Sequence, residues 1–360
     1  MKAHLFKRPL APLAVLLGAA IVQAPNLVHA QGLSSLPEYR PDKEVSGVIR
    51  SWGSSQMDGL MKSWEAGFHK YQPKVYFEDT LKGTASAQFG LQVNVADLAV
   101  SARKIFPYEY YGIYRRSQLR PVEIAVATGS YDVPGKATAL GVFVNKDNPL
   151  SRLTLKQLDG IYGDERTGGW QGLEWVTQVA RSRKENIRSW GQCGLTGAWA
   201  DRPIHVYGPP GIYPGGVSYF QSKVMGGADT WNESLQEFAD RKLMMAALSK
   251  DPYGIAYAPM AYETAQVKSL ALAETRGSPY VAFTKANVAN RAYPLARLAY
   301  IYFAPDRPNG DPADPKVDPK VKEFLRYILS QQGQRDVRRE GDFLPLTKQV
   351  VRDQLKKLDD

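Results

Sequence analysis

Three times along this chain a short apolar run breaks at glycine, serine or threonine and gives way to residues spaced as on a helix. In the first, GVIRSWGSS is followed by Leu60, Trp64, Phe68 and Tyr71 at helical steps. In the second, VYFED runs through Lys82-Gly83-Thr84-Ala85-Ser86 into AQFGLQV; in the third, PIHVYG runs through PPGIYPGG into VSYFQSKVM. A strand that feeds a helix through a tight polar turn, repeated, builds α/β layers around a largely parallel sheet. The remaining apolar runs (ADLAVSAR, EIAVAT, ALGVFVN, YGIAYA, VKSLAL and LARLAYIYF) supply further strands. A helix is expected over ESLQEFADRKLMMAAL, a surface excursion over residues 164–201, and a helix with a return segment at the carboxyl end.

Each junction also has chemistry. The first N–H groups of a helix lack intrahelical acceptors and sit at the positive end of its dipole, so such a corner can hold an anion. Ser54-Ser55-Gln56, Gly83-Thr84-Ala85-Ser86 and Pro214-Gly215-Gly216-Val217-Ser218 are the candidate corners. Taken singly, a hydroxyl before a helix is usually only an N-cap. Three in one α/β chain are more informative if they share a cleft.

At 360 residues the chain divides into two or three domains. Its 44% hydrophobic and 23% charged residues exclude disorder and fibrous repeats. The net charge is +10; residues 1–30 hold Lys2, Lys7 and Arg8 and no acid, leaving +7 on residues 31–360. That modest excess suits anionic ligands or envelope surfaces and does not call for nucleic acid. Residues 1–30 have the basic start, apolar run and small-residue end of a signal peptide, with cleavage expected before Gln31. Residues 31–45, polar and holding prolines, read as a flexible lead-in.

Enzyme signatures are sparse. Cys193 is the lone cysteine and reads as a small buried hydrophobe, while only His69 and His205 remain beyond the leader, so neither a thiolate nor an imidazole metal cage is expected. No G-x-S-x-G occurs, and Gly129 to Ala137 has the wrong spacing for a phosphate-binding P-loop. No cofactor is expected. An alternative to ligand capture is an envelope interaction or scaffold protein, presenting the aromatic segment Phe106–Arg116 or the Trp170–Trp199 excursion; the simpler expectation is that the Phe106–Arg116 tyrosines line a helix packed on its lobe.

The order of Gly53-Ser54-Ser55, Gly83-Thr84, Ala96–Ser101, Asn148-Pro149-Leu150 with LTLKQLDGIYG, Tyr253–Tyr257, Tyr293–Arg297 and Gly333-Gln334 with Pro345-Leu346 resembles the phosphate-binding proteins of bacterial phosphate ABC transporters, over about residues 46–347. The resemblance implies a type II periplasmic binding protein fold, with one lobe of 46–124 plus 296–350 and a second of 125–295. It implies capture of phosphate or a related small oxyanion in the periplasm for an inner-membrane ABC permease. The site it implies comprises Ser54, Ser55, Gln56, Thr84, Ser101, Arg103, Gly215 and Gly216. The chain departs from the family pattern at Ala102, where an acid or serine is usual, and at Pro210 and Pro214, where arginine and serine are usual. An acid at 102 would select protonated phosphate; alanine cannot, and Arg103 is the expected source of charge.

Overall fold

The computed structural model describes residues 32–211, 215–306 and 315–359; the expected signal peptide lies outside them. The chain first forms β1 (Gly47–Gly53), α1 (Asp58–Phe68), β2 (Val75–Thr80), α2 (Thr84–Gln92), β3 (Leu98–Ser101), α3 (Pro107–Ser117) and β4 (Val122–Thr128). It continues through β5 (Gly141–Asn145), β6 (Arg152–Thr154), α4 (Leu155–Tyr162), β7 (Gly169–Gln171), β8 (Glu174–Val176), β9 (His205–Gly208) and α5 (Gly216–Val224). Next come β10 (Gln236–Glu237), α6 (Arg241–Leu248), β11 (Gly254–Ala258), β12 (Val267–Ser269), β13 (Ala271–Ala273) and α7 (Lys285–Ala289). The return comprises β14 (Leu298–Phe303), α8 (Pro319–Ile328), α9 (Gln331–Glu340) and α10 (Lys348–Asp359).

Two five-stranded sheets share one plan. The first has the order β2-β1-β3-β14-β4, with β1 parallel to β2 and β3, and β14 antiparallel to both its neighbours. The second has the order β10-β9-β11-β5-β12, with β9 parallel to β10 and β11, and β5 antiparallel to both its neighbours. In each sheet three parallel strands with intervening helices are completed by an antiparallel strand that arrives by a crossover. The crossovers run side by side: Gly129 N–H donates to Arg297 O at 3.0 Å and Leu140 N–H to Leu295 O at 3.2 Å.

Each sheet has its own core, one built around Trp64, Phe68, Ile301 and Phe324, the other around Phe143, Tyr162, Phe220 and Tyr257. The first core includes Val126, Ala127 and Ala137, so β4, expected to straddle the lobe boundary at 124/125, belongs wholly to the first sheet. The lead-in, expected to be flexible, packs on the first core across 32–45. Leu33, Leu36, Tyr39 and Val45 are buried in the first core, and Tyr39 Oη donates to the Glu323 carboxylate at 2.7 Å. Four apolar side chains scattered among prolines have no period, yet α8 and α9 leave a surface they can cover. The carboxyl end likewise extends past 350. Helix α10 buries Val351 and Leu358, and Gln354 Oε1 accepts from the Ala125 N–H of β4.

The 164–201 excursion is more than surface. It forms the β7–β8 hairpin and three 3-10 turns, buries Trp190, and brings Arg166 and Arg181 against Asp159 of α4. In α3 three of the four tyrosines, Tyr108, Tyr111 and Tyr114, are exposed instead of packed on the lobe, while Glu109 and Ile113 are the buried residues.

Candidate functional site

Parallel strands place their carboxyl ends along one edge of a sheet, and there the three corners of the first lobe meet. Gly53 closes β1 at φ +150°, where an added Cβ would lie 2.0 Å from Val100 O, so only glycine allows β1 and β3 this approach. Ser54 N–H then donates to Val100 O at 2.8 Å, and Gly83 N–H donates to Gly53 O at 2.8 Å. These bonds join the corner after β1, the corner before α2 and the end of β3 into one edge. Ser54 is buried with its N–H occupied; Ser55 is exposed; Gln56 is half-buried with Oε1 lacking a partner; Thr84 opens α2 half-exposed. Lys136 of the first crossover donates to Gln56 O at 2.9 Å and pairs with Asp342, which fixes this corner against both the crossover and the carboxyl end.

Ser101 and Arg103 reach the same edge in other roles. Ser101 Oγ donates to Arg103 O at 2.7 Å. The Arg103 guanidinium is bidentate to Glu109, at 2.7 and 2.8 Å, and stacks 3.8 Å from the Phe106 ring centroid. A buried guanidinium satisfied by a carboxylate has no net charge to offer an anion. The expectation that Arg103 supplies that charge is therefore corrected: Glu109, six residues on and turned back by the start of α3, neutralises it.

The second sheet repeats the arrangement. Gly208 ends β9, and α5 starts at Gly216 after Gly215, held at φ +86°. Pro214, in the third expected corner, lies outside the described residues. Gly215 N–H donates to Ser218 Oγ at 3.1 Å, and Tyr219 N–H to Gly215 O at 3.0 Å, leaving the Gly216 and Val217 N–H groups to the unsatisfied helix start. The corner after β10 leads into α6, whose first residue, Arg241, occupies the place in this sheet that Thr84 has in the other. The helix expected over ESLQEFADRKLMMAAL is shorter for this reason. Asp240 caps it, accepting from Lys242 N–H and Leu243 N–H, and the residues before it form β10 and the corner.

Arg297 links the two lobes at this level. Its Nη2 donates to Ala102 O at 2.9 Å, and its guanidinium carbon lies 5.2 Å from the Tyr219 ring centroid, while Tyr219 Oη donates to Ala296 O at 2.7 Å. The residue is 6% exposed. Burial presses its pKa below the usual arginine value, with the Arg241 charge a lesser cause in the same direction. Arg297 is not among the residues expected from the sequence to form the site. The available signal was that Arg297 is the lone charge between Ala292 and Pro305, inside an otherwise apolar crossover and strand. Around it opens a cleft of about 1090 Å³ that both lobes line, with Arg103, Phe106 and Tyr300 on one side and Arg181, Ser218 and Tyr219 on the other.

Among the described residues, no cluster of histidine, cysteine and acidic side chains could hold a metal, and no helix is long and apolar enough to cross a membrane. His205 is held by Asp251 at 2.8 Å. Burial pushes the Cys193 thiol up to about 12.

Solved structures share this architecture. PstS from Borrelia burgdorferi overlays with a TM-score of 0.55 at 16% identity, over 84% of this chain and 100% of that one. An ABC-type phosphate transport receptor from Vibrio cholerae gives 0.51 at 18%, over 82% and 99%. At such identities the likeness is one of fold, the type II periplasmic binding protein fold. The PBP superfamily domain matches residues 40–332. Phosphate-binding protein PstS of Pseudomonas aeruginosa is 30% identical over 326 residues, 90% of this chain and 91% of that protein. The chain belongs to the PstS family of the PBP superfamily. Protein SphX of Synechococcus elongatus is a more distant relative, 24% identical over 87% of this chain and 82% of its own.

Of the residues expected to form a PstS-type site, the structure joins Ser54, Ser55, Gln56, Thr84 and Ser101 along one edge. It sets Gly215 and Gly216 on the second lobe, at the start of the helix whose Tyr219 ring lies 5.2 Å from the Arg297 guanidinium carbon; of the expected residues, Arg103 lines the cleft and the others do not.

Proposed function

We propose that the chain is an exported, non-catalytic solute-binding protein that captures phosphate or a related oxyanion in the periplasm and presents it to an inner-membrane ABC permease. Residues 1–30 serve as the signal peptide for export, with cleavage before Gln31. The two lobes are 32–137 with 297–359, and 138–296. Kinship with the Pseudomonas aeruginosa phosphate-binding protein over nine-tenths of the chain supports this reading. The observation that supports it most directly is the edge where the corners after β1, β2 and β3 are joined by backbone hydrogen bonds, with Ala102 beyond β3 linked through Arg297 to Tyr219 in the first turn of α5.

The anion docks on N–H groups and hydroxyls of Ser55, Gln56 and Thr84 from the first lobe and on Gly216 from the second, with Gly215 supplying the turn. An anion taken out of water is costly unless every oxygen finds a donor, and fixed helix-start amides supply donors that need no reorganisation. Closure of the lobes then excludes water. Calorimetry against phosphate, sulfate and phosphorylated small molecules tests the reading. Ser55→Ala and Thr84→Ala should each weaken capture about five- to tenfold, the loss of one hydrogen bond worth ~1 kcal/mol. If both variants titrate like the unmodified chain, these corners do not hold the ligand.

A further inference from the structure

We propose that Arg241 and Arg297 form a guanidinium pair at the start of α5 that takes up a fully ionised tetrahedral oxyanion, phosphate dianion or sulfate alike. The inference rests on the capture reading above and specifies the charge on which that reading depends. Pro210, where the family resemblance places an arginine, brings no charge. The first-lobe donors Ser54, Ser55, Gln56, Thr84 and Ser101 are neutral side chains, and Arg103 is neutralised by Glu109.

Arg297 is the exception among the buried arginines of the cleft. Arg103 and Arg166 are each bidentate to a carboxylate, and Arg181 lies 3.8 Å from the Asp159 carboxylate that Arg166 holds. Among the described residues, no carboxylate lies within 4.0 Å of Arg297, whose five N–H donors make one hydrogen bond, to Ala102 O. Removing a guanidinium from water without a counter-charge is unfavourable, and a bidentate oxyanion is the ligand that offsets it best.

Arg241 stands on the other flank of the same helix start. A Cβ on Gly216 would lie 3.7 Å from its Nη2, and it too has no carboxylate within 4.0 Å among the described residues. The nearby acids are occupied: Asp240 caps α6, and Glu237 accepts from Gly211 N–H. The two arginines are close enough for the charge of Arg241 to disfavour that of Arg297. Two unneutralised like charges beside a helix N-terminus repel until an anion sits among them. Ala102 stands where the family resemblance places an acid or serine and cannot accept a proton from that anion, so a protonated oxygen gains nothing there, and sulfate fits as well as phosphate.

Calorimetric titrations of the unmodified chain, Arg241→Gln, Arg297→Gln, the double variant and Arg297→Lys with potassium phosphate and potassium sulfate test the pair. The unmodified chain should bind both anions. Its phosphate affinity should rise as pH passes the second ionisation of phosphoric acid, while its sulfate affinity stays level. Each glutamine variant should lose at least about tenfold for both anions. Arg297→Lys, which keeps charge but not the fork, should fall between. The ligand-free melting temperature of Arg297→Gln should hold or rise, which separates ligand binding from a merely structural role. Should Arg297→Gln not fold, half-buried Arg241→Gln gives the same readout. Glutamine variants that titrate normally while Ser55→Ala and Thr84→Ala lose affinity would overturn the pair and leave the capture reading standing. Rejection of sulfate by a chain that binds phosphate would also overturn the proposal. Binding of no anion at all by the unmodified chain would remove both readings.

Discussion

Glu65 shows how the burial of a single carboxyl contributes to the pH response of the first lobe. It lies on α1 with Oε1 buried and unpartnered. Burial first, then the neighbouring Asp79 carboxyl, push it up to about 8 from an ordinary 4.5. The folded state therefore holds a proton that the unfolded state has already released between pH 4.5 and 8, so this group's contribution to stability falls as pH rises through that window. Glu65→Gln should leave melting temperatures near pH 4 unchanged and raise them above pH 8; parallel melting curves at every pH would show that Glu65 is freely solvated. Residue-level chemistry was only partly legible in the sequence. An arginine at a strand end looks the same whether its counter-charge is a bound anion or a carboxylate six positions on, and for Arg103 the turn into α3 decides for Glu109. Arg297 was hidden differently: its position in a crossover strand is plain, but its proximity to Ala102 and Tyr219 depends on contacts between segments nearly 80 or more residues apart.

At the scale of elements, periodicity identified strands and helices wherever one face is buried and the other wet, as in α1 with Leu60, Met61, Trp64 and Phe68 inward. It failed where a short element borrows its burial from elsewhere. The polar run before Asp240 reads as helix by composition, yet pairing of Gln236 and Glu237 with β9 makes it strand and corner, and the Asp240 cap ahead of an apolar run was the overlooked stop signal. Helix α10 is a second case, because its partner is the edge of the first sheet. There Gln354 Oε1 accepts from the buried Ala125 N–H at 3.0 Å, and Lys357 Nζ donates to Glu123 O at 2.7 Å. Gln354→Ala leaves that N–H without an acceptor and should cost about 1–3 kcal/mol, read by chemical denaturation. An unchanged unfolding midpoint would mean that α10 is not needed to cover β4.

The whole molecule turns on two crossovers lying against each other, and the ligand chemistry proposed above depends on where they hold Arg297. The two-lobed plan was legible because strand-turn-helix cycles occur before and after a central pair of apolar runs; the contact between the crossovers was not, since a glycine there has no side chain to announce what it touches. Gly129 marks that contact. A Cβ there would fall 2.3 Å from Ala137 O and 3.2 Å from Arg297 Cβ, while its N–H donates to Arg297 O. Gly129→Ala must push back Ala137 within the first crossover and press on Arg297 of the second, at about 1–3 kcal/mol of strain, and so shift the arginine relative to Ala102. Gly135, in the same crossover at φ +76° with open space around it, supplies the control: alanine there carries only the left-handed backbone penalty, ~1 kcal/mol. Gly129→Ala should therefore lower both the melting temperature and the phosphate affinity, whereas Gly135→Ala should lower the first slightly and leave the second alone. Equal affinities in the two variants would mean that the crossovers join the lobes without positioning the charge between them.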